Sequence, residues 1–310
     1  MTPTPYPVRH AAQSTFVPLR HLHYHVHTWG DAKEVTPERP PLVLLHGWMD
    51  VGASFQFLVD ALAEASGFER HVVAPDWRGF GLTEAPGADT YWFHDYLGDL
   101  DALLDALLPA ARFPAIDLLG HSMGGNVVMS YAGLRPQRIR RLINLEGFGL
   151  PATKPHHAPK RLVQWLDDLK TPQALRDYAS VDAVAQRLLK NNPLLTPDKA
   201  AWLAPHWARQ QADGRWQILG DPAHKRVNPV LYRVDEVLET WKAITAPLLW
   251  AEGDLTDTTK WWGHRYSKDE FHARLATVPQ VQKVVLSPCG HMLHHDQPQA
   301  LARHLRDFLA

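Results

Sequence analysis

The pentapeptide Gly120-His121-Ser122-Met123-Gly124 matches the pattern G-x-S-x-G, in which a serine can act as a nucleophile. The serine must stand on a sharp turn between a strand and a helix, so that its hydroxyl rises above the sheet. The turn presses the two glycines together, and only small residues fit there. A helix that starts just after Ser122 points backbone N–H groups at a developing oxyanion. The spacing therefore predicts Ser122 as a nucleophile and the Met123 N–H as a donor to the oxyanion.

A serine nucleophile needs a general base, and His291 is the candidate near the other end of the chain. Gly290-His291 follows the last apolar run and precedes Asp296-Gln297-Pro298, where a closing helix would begin. Triads of this architecture place the histidine last, in a loop level with the serine. His294 and His295 are the competing candidates. A surface position is the plain alternative in a chain with 19 histidines.

A second oxyanion donor is expected from the loop after the first strong strand, His46-Gly47-Trp48. Gly47 allows the backbone to approach the serine closely, which makes the N–H of Trp48 the best candidate. The Trp48 indole would then line a pocket, or it would pack in the core.

The elements that must position these groups alternate between short apolar runs and helical patterns. The clearest helix is 95–108, whose apolar residues recur every three or four positions. Strands that alternate with helices, with Gly at the connecting turns, predict an α/β fold with a mostly parallel sheet and helices on both faces. The expected strands are 21–30, 41–48, 71–81, 115–119, 140–145, 246–254 and 281–291, and a closing helix covers 301–309.

The alternation breaks over residues 150–244, where short helical pieces bearing Trp replace the buried strands. Thr171-Pro172 and Thr196-Pro197 each resemble a helix N-cap followed by Pro at the first helical position. We therefore expect a core made of 1–149 and 245–310, interrupted by a helical insertion at 150–244.

Composition excludes several classes of protein. The 32 Lys and Arg balance 33 Asp and Glu, for a formal net charge of −1, which argues against nucleic-acid binding. No apolar run approaches the length that spans a bilayer, so we expect no membrane partner. The beginning of the chain lacks a secretion signal, and the single cysteine, Cys289, cannot form an internal disulfide. These features predict a cytoplasmic protein; its oligomeric state stays open.

Four segments together resemble the α/β-hydrolase fold superfamily over nearly the whole chain. They are HGW at 46–48, DWRGFGLT at 76–83, GHSMGG at 120–125 and GHMLHHDQP at 290–298. The resemblance implies a Ser–His–acid hydrolase with a helical cap inserted over an apolar pocket. It does not specify the substrate.

The acid of such a triad departs from the commonest pattern of the superfamily. Most members carry an Asp three residues after a Gly at the end of the penultimate strand. If Gly253 is that Gly, the position holds Thr256, which is not a carboxylate, although Asp254 and Asp257 lie beside it.

A minority of members, many haloalkane dehalogenases among them, take the acid from the end of the strand after the elbow helix. In this chain that position is Glu146. An ionised carboxylate at a buried strand end needs a partner, which His291 would supply. We therefore rank Glu146 first, Asp257 second and Asp254 third; without a catalytic role, Glu146 would simply be a polar residue that ends a strand.

Four histidines, His21, His23, His25 and His27, fall on one face of the strand predicted at 21–30. Such a row suggests a metal, but zinc sites usually draw converging ligands from separate elements. A solvated strand face is the simpler interpretation. We expect neither a metal nor another cofactor.

The combined interpretation is a carboxylesterase-like serine hydrolase that cleaves an ester of a small, largely apolar molecule through an acyl-enzyme. Two alternatives stay open. The same triad could cleave a C–C bond in a diketone or support cofactor-free perhydrolysis, or the protein could be a ligand receptor on a hydrolase fold. Haloalkane dehalogenation is disfavoured because it needs a carboxylate where Ser122 stands.

Overall fold

The described residues of the chain form two β-sheets. A computed structural model describes residues 3–64 and 70–310. The described strands are β1 (Gln13–Leu19), β2 (Leu22–Trp29), β3 (Leu42–Leu45), β4 (Val72–Pro75), β5 (Ile116–His121), β6 (Ile139–Leu145), β7 (Asp177–Tyr178), β8 (Ala208–Gln210), β9 (Trp216–Ile218), β10 (Leu248–Gly253) and β11 (Val281–Leu286).

Eight of these strands form the main sheet, in the order β1-β2-β4-β3-β5-β6-β10-β11. The pairs β1–β2 and β2–β4 are antiparallel, and every other neighbouring pair is parallel. The carboxyl ends of β3, β5, β6 and β10 therefore meet at one edge, where ligands bind in open α/β sheets.

Helices cover both faces of the main sheet. The described helices are α1 (Gln56–Ala63), α2 (Phe93–Leu107), α3 (Met123–Leu134), α4 (Ala158–Lys170), α5 (Val181–Asn191), α6 (Pro197–Trp207), α7 (Val234–Lys242), α8 (Thr259–Trp262), α9 (Lys268–Leu275), α10 (Leu293–Asp296) and α11 (Pro298–Leu309). Short 3-10 helices lie at Gly52–Phe55, Pro136–Arg138, Pro155–His157, Pro222–Lys225 and Gly263–Arg265.

Successive residues of β3 point into two separate hydrophobic cores. Leu42 and Leu44 pack with α1 and α11, whereas Val43 and Leu45 pack with α2 and α3. All four side chains are fully buried, which is why this strand has no polar residue. The arrangement confirms the predicted α/β fold with a mostly parallel sheet and helices on both faces.

Residues 150–244, called the inserted segment below, hold α4 to α7 and a small antiparallel sheet of order β7-β9-β8. The sequence analysis expected only helices there. Its core is a third cluster, in which α5 and α6 pack on each other and on Phe57 of α1. Within the described ranges, none of the helices has the length and apolarity that a membrane-spanning helix requires.

One of the two predicted helix starts in the inserted segment is correct. Thr196 precedes α6, which begins at Pro197. Thr171 instead follows the end of α4, and Pro172 lies in an irregular stretch. Proline is common both at the first position of a helix and just after its end, because it cannot continue a helix, so Thr-Pro alone does not separate the two cases.

Candidate active site

Ser122 stands on a strained turn between β5, which ends at His121, and α3, which begins at Met123. Its backbone has φ 52° and ψ −113°, a conformation that costs a non-glycine residue about 1–2 kcal/mol. The fold holds it there, because the Ser122 N–H donates to Leu145 O at 2.8 Å and its carbonyl accepts from the Asn126 N–H at 3.0 Å.

The glycines on either side of Ser122 have no room for a side chain. A Cβ on Gly120 would lie 2.2 Å from Gly124 O, and a Cβ on Gly124 would lie 2.2 Å from Leu45 O. Both contacts are with backbone atoms, which cannot rotate away. The two glycines are therefore required by packing, as the pattern predicts.

Glu146 and His291 meet at the carboxyl edge of the sheet. His291 Nδ1 lies 2.6 Å from Glu146 Oε2, and the Glu146 side chain is fully buried. Because a carboxylate only accepts, the proton of this hydrogen bond lies on Nδ1, and neutral His291 keeps a free lone pair on Nε2. That is the form in which a histidine acts as a base.

Two further donors hold the Glu146 carboxylate. The Gly253 N–H donates to Oε1 at 2.8 Å, and the Thr256 hydroxyl donates to Oε2 at 3.0 Å. Thr256 lies three residues after Gly253, where an acid was first sought, and its hydroxyl instead fixes a carboxylate at the end of the neighbouring strand. This role of Thr256 was not predicted from the sequence.

The two other candidate acids are directed elsewhere. Asp257 is exposed, and its Oδ1 accepts from the N–H and hydroxyl of Thr259. Asp254 is exposed as well and accepts from the Ser287 hydroxyl at 2.6 Å and the Cys289 N–H at 2.9 Å. Neither carboxylate contacts His291, so the structure brings Glu146 to the histidine and leaves the aspartates outside.

The loop after β3 approaches the serine closely. A Cβ on Gly47 would lie 3.1 Å from Ser122 Cβ and 3.0 Å from His121 Nδ1. Within the described ranges, the N–H groups of Trp48 and Met123 have no acceptor in the protein. Both N–H groups are therefore free to donate, and the Trp48 ring, 52% exposed, lines the cavity rather than packing in the core.

Ser122, Met123, Trp48, Glu146 and His291 all line one cavity of about 900 Å³ between the main sheet and the inserted segment. No hydrogen bond joins the Ser122 and His291 side chains in the described structure, a contact that is often loose before substrate binds. The wall is mostly apolar and includes Phe148, Trp261 and Leu231, with the Trp261 ring 4.6 Å from that of His291.

The cavity also follows one face of α3. Met123, Asn126, Ser130 and Leu134 line it at spacings of three or four residues, which corresponds to about 16 Å along the helix axis. It therefore has room for a molecule considerably longer than the group that reacts.

The competing histidines lie behind the cavity wall. His294 is fully buried, with Nε2 3.2 Å from the Ser54 hydroxyl and 3.7 Å from Asp50 Oδ2. His295 is buried too, and burial lowers its pKa well below the usual value. Since neither residue lines the cavity, they are structural neighbours of the site rather than alternatives to His291.

His121, beside the nucleophile, was not predicted to have a role. Its Nε2 lies 2.8 Å from the carbonyl of His291, which requires an N–H on Nε2. Burial lowers the pKa of His121 well below the usual value, so the ring is neutral. The contact ties the loop carrying His291 to the end of β5.

The histidine row on β2 is divided between solvent and the interior. His21 and His23 are exposed, whereas His25 and His27 line a second cavity of about 460 Å³ beside Asp76. His25 Nδ1 lies 2.8 Å from Asp76 Oδ2, and His25 Nε2 lies 2.6 Å from the Ser14 hydroxyl. Hydrogen bonds within the protein thus engage both His25 nitrogens, so the expected solvated face is wrong for His25 and His27.

Comparisons with known proteins agree with this fold. The family model described as alpha/beta hydrolase fold matches residues 40–298. A serine hydrolase-like protein of Danio rerio is 27% identical, over 87% of this chain and 81% of that protein. A cis-3-alkyl-4-alkyloxetan-2-one decarboxylase of Shewanella oneidensis is 26% identical, with the same two coverages. Among solved structures, a thioesterase domain from the curacin biosynthetic pathway has TM-score 0.79 and 25% identity, covering 96% of this chain and 99% of that one.

Proposed function

The chain belongs to the α/β-hydrolase fold family, and on that premise we propose that it is a carboxylesterase-like serine hydrolase acting through an acyl-enzyme. The carrying observation is the 2.6 Å contact between His291 Nδ1 and Glu146 Oε2, on the same cavity wall as Ser122. Because the contact fixes the proton on Nδ1, the other ring nitrogen, Nε2, is left free to act as a base.

In the first half of the reaction, His291 Nε2 takes the proton of the Ser122 hydroxyl as the oxygen attacks the ester carbonyl. The buried Glu146 carboxylate stabilises the imidazolium that forms. Collapse of the tetrahedral intermediate breaks the bond to the alcohol oxygen, which receives the proton from His291. Ser122 then carries the acyl group.

Water repeats the cycle in the second half. His291 removes a proton from the water, whose oxygen attacks the acyl carbon, and the proton then passes to Ser122 as the carboxylic acid leaves. No cofactor or metal is needed, because the acid, the base and the nucleophile are all side chains of this chain.

The oxyanion of both intermediates would be held by the N–H groups of Met123 and Trp48. The assignment is supported by the lack of a protein acceptor for either N–H in the described structure and by the close approach of Gly47, which precedes Trp48, to Ser122. Pre-oriented donors of this kind contribute on the order of 3 kcal/mol each to transition-state stabilisation.

The inserted segment would act as a cap that selects the substrate. It supplies one side of the cavity, while the main sheet supplies the reacting groups. The aromatic and aliphatic lining near Ser122, including Phe148 and Trp261, favours an ester whose reacting part is small and largely apolar.

The test is the hydrolysis of 4-nitrophenyl butyrate by the wild-type protein and by Ser122→Ala. We expect a burst of 4-nitrophenol followed by steady turnover in the wild type, and neither in the variant. Ser287→Ala, which alters an exposed serine after β11, is the matched control and should retain both phases. Full activity in Ser122→Ala would exclude the proposed nucleophile, and a burst without turnover would favour a receptor.

A second candidate reaction follows from the similarity to the oxetan-2-one decarboxylase of Shewanella oneidensis. An oxetan-2-one is a four-membered cyclic ester, so it presents to Ser122 the same kind of carbonyl as an open ester. Product analysis with a dialkyl oxetan-2-one separates the two reactions. Hydrolysis gives a β-hydroxy acid, whereas decarboxylation gives an alkene and carbon dioxide.

A further inference from the structure

The wall of the cavity contributed by the inserted segment carries three arginines, Arg161, Arg226 and Arg233. Arg233, which precedes α7, is largely exposed and has a carboxylate nearby, since its Nε lies 4.0 Å from Glu236 Oε1. The other two have hydrogen-bonding groups without protein acceptors. A guanidinium keeps its charge in a protein and has five N–H donors, so donors unused by the protein at a cavity wall are available to an acceptor brought by a ligand.

Arg161 lies on α4 and is half-buried at the cavity wall. In the described structure it makes no hydrogen bond and no ion pair. The residues one helical turn away from it on α4, Ala158, Gln164 and Trp165, carry no carboxylate.

Only some of the hydrogen-bond donors of Arg226 have an acceptor in the protein. Its Nη1 donates to the carbonyl of Asp89 at 2.6 Å and lies 3.7 Å from the exposed Asp89 carboxylate. Its Nε is buried and has no acceptor among the described residues. Beside it, His224 Nε2 is also buried and unpartnered, with the ring stacked between Phe80 and Tyr91.

The carboxylates that line the cavity do not balance these charges. Glu146 is engaged by His291, Gly253 and Thr256, and Glu236 is engaged by Arg233. Asp89 partly balances Arg226, whereas the positive charge of Arg161 has no carboxylate partner and lies at a mostly apolar wall, where an anion is attracted more strongly than in water.

We propose that Arg161 and Arg226 form a subsite for an anionic group of the substrate, a carboxylate or a phosphate, remote from the carbonyl that Ser122 attacks. The inference rests on the proposed function, since it assumes that the substrate is an ester of that site. A planar guanidinium binds a carboxylate through two parallel N–H···O bonds, which fixes the orientation as well as the charge of the ligand. The proposed substrates are therefore esters that combine an apolar reacting part with an acidic group at the other end.

The kinetic test compares mono(4-nitrophenyl) glutarate with its methyl ester, which has the same chain but no charge. We expect kcat/KM to be at least about tenfold higher for the anionic ester, mainly through KM. Arg161→Gln should reduce that ratio about tenfold, whereas Lys160→Gln, an exposed neighbour on α4, should leave it unchanged. 4-Nitrophenyl 4-phosphonobutanoate, in the same assay, distinguishes a site for phosphate-type anions from one for carboxylate.

A binding test separates this inference from the proposed function. Mono(4-nitrophenyl) glutarate should bind to the Ser122→Ala protein at least tenfold more tightly than its methyl ester does, and Arg161→Gln in that background should abolish the difference. Equal affinities, or a difference that survives Arg161→Gln, would overturn the anion subsite even if both esters are hydrolysed. Tight, Arg161-dependent binding without hydrolysis by the wild type would uphold the subsite and contradict the proposed enzyme.

Discussion

The carboxyl edge of the main sheet and the inserted segment bound the same cavity, but they are built differently. β3, β4 and β5 consist only of buried residues, and the turns that follow β5 and β6 carry Ser122 and Glu146. In the inserted segment, α4 has no fully buried residue and exposes Leu162, Val163 and Leu166. The strands at the sheet edge are packed on both faces, whereas α4, which contributes to the opposite wall, is only partly packed.

The difference follows from what each wall has to do. Catalytic groups must be held to within about 0.5 Å, and residues at the ends of buried strands satisfy that requirement. A wall that binds the rest of a substrate tolerates more variation, because its contacts contribute affinity rather than bond-making geometry. Mutations at the rigid edge of the sheet should therefore impair the chemical step. Mutations in the more adaptable wall of the inserted segment should alter the choice of substrate.

The largest expected effect is at the edge, in Glu146→Gln. The carboxylate accepts from His291, Gly253 and Thr256, and an amide nitrogen cannot accept, so at least one donor loses its partner. We expect kcat/KM for 4-nitrophenyl butyrate to fall on the order of 10³- to 10⁴-fold. Asp257→Asn, measured in parallel, should stay within a fewfold of the wild type; the reverse outcome would transfer the acid role to Asp257.

Two glycine substitutions compare how tightly the sheet edge and the inserted segment are packed. Gly124→Ala places a methyl group 2.2 Å from Leu45 O, and we expect it to lower the free energy of unfolding by about 3 kcal/mol or more. Gly214→Ala, in the turn between β8 and β9, meets no atom within 4 Å but has φ +83°, so we expect a loss of about 1 kcal/mol. Urea denaturation measures both, and equal losses would contradict the proposed difference in rigidity.

His27 probes the second cavity, where β2 faces Trp202 and His206 of α6. Burial lowers the pKa of His27 to about 4. The folded protein therefore keeps this ring neutral while the unfolded chain takes up a proton below about pH 6.5, so stability is lost as the pH falls from 6.5 towards 4.

His27→Gln removes that titration. Between pH 7.5 and pH 5, we expect the fall in the free energy of unfolding to be about 2 kcal/mol smaller in the variant than in the wild type. His23→Gln, on the exposed part of the same strand face, serves as the control and should leave the pH dependence as it is. An unchanged fall in His27→Gln would show that the ring is protonated or solvated in the folded state.

The smallest effect is expected on the outer face of α4. Leu162 is 45% exposed, and Leu162→Gln should change the free energy of unfolding by no more than about 0.5 kcal/mol. A loss above about 2 kcal/mol in thermal or urea denaturation would mean that this face is packed against something in solution, and the contrast between the two walls would then have to be abandoned.

The sequence predicted the edge of the sheet well, because the residues there are constrained by local rules. Apolar runs marked the strands, and Ser122, Glu146 and His291 each follow one of them. The structure brings all three to one cavity. The two glycines beside Ser122 were informative for the same reason, since a strand–helix turn of this kind admits only small residues.

The inserted segment was harder to predict because its structure depends on contacts between distant residues. β7 to β9 are only two or three residues long, too short for a period-two pattern to stand out.

Contacts between residues far apart in the chain were also not predictable elsewhere in the molecule. The hydrogen bond from Thr256 to Glu146 joins residues 110 positions apart, and the lack of a protein partner for Arg161 is a property of the cavity. The hydrogen bonds of His25 likewise require Asp76 and Ser14 to be placed beside β2.

The most direct test of the central claim is the site and rate of labelling by a fluorophosphonate, read by peptide mass spectrometry. We expect a single adduct on Ser122, formed on the order of 10³-fold more slowly in Glu146→Gln than in the wild type. An adduct on another residue, or labelling of Ser122 at the same rate in both proteins, would contradict the claim that Glu146 and His291 activate this serine.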